Sequence, residues 1–170
     1  MLKQLVGAAA LSSLLLATPL YAAQVIDNNN TKAILAMAQE FGTAELSTDD
    51  EGDPLITGRM NETDYSIIFH NCQNGKNCTD LMFSSAWSAS GNITLEQVNT
   101  WNSEMLYGQA YLDGEKDPTL EMSVNIDGGV TEDNLRASFQ WWNDVVPEFE
   151  STIFPENAAV EASEKAQETK

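Results

Sequence analysis

Two apolar runs, Tyr65–Cys72 and Cys78–Trp87, constrain the fold more tightly than anything else in the chain. Laid antiparallel with Cys72 opposite Cys78, they place Phe69 against Leu81, Ile67 against Phe83 and Tyr65 against Ser85 on one side. Ile68 then meets Met82, and Ser66 meets Ser84, on the other. A single register sorts the most apolar residues of both strands onto one face, as burial of that face requires. Directly opposed residues on antiparallel strands hold their Cα atoms about 4.5–5.5 Å apart, within the range a disulfide tolerates. The thiol register and the hydrophobic register are independent signals, and they select the same hairpin.

A Cys72–Cys78 bridge belongs to an oxidising compartment. The N-terminus agrees: Lys3 precedes the apolar run Val6–Leu20, and the small residues Ala22 and Ala23 follow. That is the order of a secretory signal. At about 15 residues the run is shorter than the roughly 20 that span a bilayer. The sequence therefore predicts a cleaved signal peptide over residues 1–23, a single domain over 24–154, and a periplasmic mature protein with no stable membrane insertion. Residues 155–170, rich in Ala, Glu and Lys without an apolar stripe, are expected to form a frayed or disordered tail. With 42% apolar residues the chain can build a core, and its net charge of −18 disfavours nucleic acid and anionic lipid as partners.

Around the hairpin, residues 31–42 have helical spacing, and 44–47 and 54–60 read as strands. Thr94 with Gln97 forms a capping box that opens a helix carrying Leu95, Val98, Trp101 and Met105 on one stripe. A second hairpin joins 109–113 to 118–126, with Leu112 opposite Leu120 and Ala110 opposite Met122. Thr131 caps a last helix bearing Leu135, Phe139, Trp142, Val146 and Phe149, which Pro147 is expected to kink or end. The order αββββαββα predicts an α+β fold, three helices packed on a mostly antiparallel sheet.

Chemistry-bearing residues are few. The hairpin register sets His70, the only histidine, opposite Asp80, a cross-strand ion pair on the solvent side. Zinc on His70, Cys72 and Cys78 competes with the disulfide for the same thiols. A hydrolytic site would need Ser66 or Ser84 as nucleophile, and neither sits in an elbow motif. The acidic turns at 49–53 and 113–117 lack EF-hand spacing. No catalytic, cofactor-binding or metal-ligating set is expected. Trp141 projects about 100° from Trp142 around the helix and shares its side with Val145. Either the apolar face is broad, or Trp141 and Val145 form a surface for a partner or a second subunit.

Several phrases resemble the YbjN family of bacterial proteins: Gly52-Asp53-Pro54, residues 65–69 with Cys72, Trp101-Asn102, residues 108–113, Asp117-Pro118 and residues 120–122. Residues 127–131, Asn134 and Trp141-Trp142 complete the likeness, which runs from about Thr31 to Phe149. The resemblance implies a sensory-transduction regulator with a fold like that of type III secretion chaperones, which bind extended partner segments, usually as dimers and without chemistry. The expected function is an exported, non-catalytic protein-binding or regulatory module acting on an unidentified protein partner or as a homodimer. The alternatives are a periplasmic enzyme using His70 and an acidic structural or stress-buffering envelope protein. The signal peptide departs from a cytoplasmic regulator and moves any partner outside the cytoplasm. The intact mass of the native protein should show the loss of 22 or 23 residues and of two hydrogens; free thiols in that material would exclude the bridge.

Overall fold

Alternation of apolar and polar residues dictates a sheet, and the computed structural model, which describes residues 24–89 and 91–155, builds one of six antiparallel strands. The expected signal peptide, and residues 156–170 of the expected tail, lie outside the described residues. In chain order the elements are β1 (Val25–Ile26), α1 (Thr31–Phe41), β2 (Thr43–Thr48), β3 (Pro54–Met60), β4 (Thr63–His70) and β5 (Asp80–Ala86). They continue with α2 (Leu95–Glu104), β6 (Gln109–Leu112), β7 (Pro118–Asn125), β8 (Val130–Thr131) and α3 (Glu132–Ile153). The sheet order is β2-β3-β4-β5-β7-β6. The α+β class is as expected.

The β4–β5 register is the one read from the sequence, from Ser66–Ser84 through His70–Asp80. Its buried side carries Ile67, Phe69, Leu81 and Phe83, flanked by Ile56 of β3 and Leu120 and Met122 of β7. All three helices contribute to the core on that side. Phe139 of α3 meets Phe83 edge-on at 4.9 Å and stacks on Phe41 of α1 at 5.5 Å. Phe149 meets Trp101 of α2 at 5.0 Å. The α1–β2 junction runs so close to β3 that a Cβ on Gly42 would lie 2.1 Å from the Arg59 carbonyl oxygen, and one on Gly58 2.0 Å from that of Thr43. Only glycine fits at either position.

Four details differ from expectation. Ala110 pairs with Leu120 and Leu112 with Pro118, a slip of two residues from the expected β6–β7 register. A slip of two keeps every side chain on its face, so alternation cannot distinguish the registers. The turn does: Asp113 Oδ1 accepts the amides of Glu115 and Asp117, closing a short loop immediately before Pro118. Asp49 does the same for Glu51 and Asp53 ahead of Pro54. The sequence Asp-x-Glu-x-Asp-Pro thus builds the same turn twice.

Leu95, placed on the buried stripe of α2, is 67% exposed; Val98 and Trp101 carry the contact. The strands β1 and β8 form a separate two-stranded ribbon that was not expected, and the Gln24 carbonyl accepts the Glu132 amide at the start of α3.

The helix α3 also runs through Pro147 to Ile153. Proline cannot donate to the carbonyl four residues earlier, and here Asn61 Nδ2 donates to that Asn143 carbonyl at 2.7 Å. Val146 and Phe149, buried on either side, hold the helix on course. Asn61→Ala should therefore cost about 1 kcal/mol in urea unfolding, in line with a lost hydrogen bond. The cost should shrink in a Pro147→Ala background, where the helix can supply its own donor; an equal cost in both backgrounds would exclude the coupling.

Candidate functional site

The β4–β5 connection is built from residues that tolerate a left-handed backbone. Asn71, Asn74 and Asn77 have φ of 54°, 55° and 50°, and Gly75 has 73°. Cys72 and Cys78 are joined across it, their Cα atoms 3.9 Å apart. Asn29 clamps the loop from outside, donating through Nδ2 to Asn77 Oδ1 and accepting the Asn77 amide at Oδ1. Zinc on His70, Cys72 and Cys78 would need thiolates that are here bonded to each other.

His70 and Asp80 stand opposite in the register, but they are not among the ion pairs of the described residues. The expected ion pair is corrected to a hydrogen-bonded carboxylate. Asp80 accepts from the Thr79 hydroxyl, from Asn71 Nδ2 at 2.9 Å and from Asn125 Nδ2 at 3.3 Å. These donors, Thr79 foremost, hold its carboxyl below the usual carboxylate range, with the charge of His70 the weakest contribution. Ser66 and Ser84 face each other. Each sits four residues along its strand from His70 or Asp80, about 13 Å at strand rise. The arrangement brings neither serine to the histidine. Among the described residues no group of three His, Cys, Asp or Glu could hold a metal ion.

Trp141 and Val145 part company. Val145 is buried, its side chain next to Gly108, whereas Trp141 is 41% exposed. The expected surface therefore loses Val145: the apolar face of α3 is broad enough to take it into the core. In its place stands Tyr107, from the α2–β6 connection, stacked on Trp141 with ring centroids 4.1 Å apart and planes 15° from parallel. Its neighbour Leu106 is 83% exposed. Tyr107 and Leu106 lie past the end of α2 at Glu104, and only their apolar character could have singled them out.

At the C-terminal end of α3 a cavity of about 900 Å³ opens between the β3–β4 turn, the β5–α2 connection and the end of the helix. Glu150 is half-buried in its wall. Its Oε1 accepts from Trp87 Nε1 at 2.8 Å and from Thr63 Oγ1 at 2.6 Å. The sequence reading had no signal for this site, whose walls come from three distant segments.

A family model, YbjN, described as "Putative bacterial sensory transduction regulator", matches residues 30–155. The chain belongs to the YbjN family. The YbjN match begins at Asn30, the N-cap of α1, and runs through α3, so β1 alone of the elements lies outside it. No curated protein and no solved structure matches the chain. The α+β class thus rests on the structure itself, and the likeness to type III secretion chaperones on the resemblance alone.

Because Asp80 is stabilised in its charged form, it favours the folded chain above the unfolded carboxylate pKa, and that contribution is lost as pH falls through its own lowered value. A carbon-detected NMR titration should place its midpoint below that of ordinary aspartates. Thr79→Val should raise it more than Asn71→Ala, and His70→Ala least; the largest rise from His70→Ala would restore the ion pair.

Proposed function

We propose that this chain is an exported, non-catalytic regulatory module that works by holding a protein partner against the Trp141–Tyr107 surface. One observation carries the reading. Two large aromatic rings are stacked on each other in solvent beside a nearly bare leucine. Monomeric proteins seldom leave such a group uncovered, and Trp and Tyr are the residues that most often anchor protein interfaces. Membership of a family of bacterial sensory-transduction regulators supports a regulatory role. The separation of Ser66 and Ser84 from His70, and the bonded thiols, weigh against the enzyme alternative.

Export is supported by the signal-like N-terminus and by the Cys72–Cys78 bridge. No helix among the described residues is long and apolar enough to cross a membrane. The partner is a protein of the envelope, or a second copy joined through the same patch.

Affinity capture from an envelope fraction with wild-type protein and Trp141→Ala, alongside sedimentation of each, tests the reading. Trp141 lies outside the core, so the variant should melt like wild type yet retain at least tenfold less partner, the loss expected for an interface anchor. Equal capture or equal self-association by both proteins would sink it.

A further inference from the structure

The helix α3 ends in an electrostatic conflict. A helix C-terminus carries a partial negative charge and is stabilised by cations, yet the last turn of α3 holds no basic residue and includes Glu150. Glu62 and Asp64 join Glu150 around the adjoining cavity, and among the described residues no Lys, Arg or His lines it. The nearby Arg59 is already engaged, through Nε to the Glu62 carbonyl at 2.7 Å and beside the Asp64 carboxylate at 3.8 Å.

Glu150 is held in position rather than loosely solvated. Trp87 and Thr63 occupy Oε1, which leaves Oε2 without a hydrogen bond among the described residues. Nor is Oε2 among the buried atoms that lack a partner, so it is accessible, on a residue that lines the cavity. The floor is apolar: Trp87, itself packed on Phe149 and Phe154 at 5.0 and 6.4 Å, with buried Ile93. The carboxylates do not converge on a point that could hold a metal ion. They are spread around a volume suited to several residues of extended chain.

We propose that this cavity receives a basic segment of a protein partner, seating a lysine ammonium on Glu150 Oε2 and its alkyl stem on Trp87. A long stem that packs on apolar surface while its charged head meets a carboxylate matches this floor and rim. The inference rests on the reading of the chain as a protein-binding module but not on the Trp141–Tyr107 stack. The two sites lie nine residues apart on α3, about 13 Å along the axis.

The test uses the full mature protein and a blocked Ala-Ala-Lys-Ala-Ala peptide, followed by the indole N–H resonance of Trp87, assigned as the one lost in Trp87→Phe. The lysine peptide should shift that resonance saturably, and binding should weaken with added salt. Its norleucine counterpart should do nothing. Glu150→Gln keeps the Oε1 acceptor for Trp87 and Thr63 and should weaken binding at least tenfold. Glu62→Gln with Asp64→Asn, both outside the core, should weaken it less. Trp141→Ala should bind the peptide as wild type does, which separates failure here from failure of the aromatic surface. The proposal is overturned by no shift in wild type, an equal shift with norleucine or magnesium chloride, or unchanged binding in Glu150→Gln. It is also overturned by a shift with protein concentration alone, which a second copy in the cavity would produce.

Discussion

The packing of α3 across the middle of the sheet is the contact on which the other elements depend. Phe139 stands edge-on over Phe83 of β5 and flat against Phe41, so it ties α1 to the sheet. Three turns on, Phe149 does the same for α2 through Trp101 and for the β5–α2 connection through Trp87. Each short helix packs on the sheet, α1 against β2 and α2 against β6, and also closes one flank of α3. Burying side chains of this size contributes about 1.5–3 kcal/mol apiece, more than the exposed pairs that Arg136 makes with Glu40 and Glu132 can supply.

The same helix presents both surfaces that a partner could use. Its outward side carries Trp141, while its end supplies Glu150 to the cavity. Because α3 is fixed through two aromatic clusters, around Phe139 and around Phe149, both groups are held on a rigid support. Tyr65 shows what such dense packing exacts. Its hydroxyl is buried beside α3 with no hydrogen-bond partner among the described residues, and burial pushes its pKa up to about 12. The Trp142 indole N–H, likewise without a partner among the described residues, borders a small void with Tyr65.

What could be read from the chain followed from periodicity, and what could not was decided by contacts between distant segments. The β4–β5 register was legible because a slip of one residue would have turned Ile67 and Phe69 to water. The β6–β7 register was less so, since a slip of two costs the pattern nothing; the repeated Asp-x-Glu-x-Asp-Pro turn was the available signal. The persistence of α3 past Pro147 depends on Asn61, more than 80 residues earlier, which no local rule links to it. At the site, helical geometry separated Trp141 from Trp142 but could not tell that Gly108 leaves room for Val145 to be buried. Tyr107 and the Glu150 cavity were out of reach because loops bring their parts together.

The β1–β8 ribbon bears on the order of events in synthesis. Val25 pairs with Thr131, more than 100 residues later, and Gln24 completes the hydrogen bonding at the start of α3. Contacts of such sequence separation form slowly, and this one cannot form until residue 131 has left the ribosome. The strand β1 therefore has no native strand partner through most of translation. The ribbon can close only after every strand of the six-stranded sheet has been synthesised.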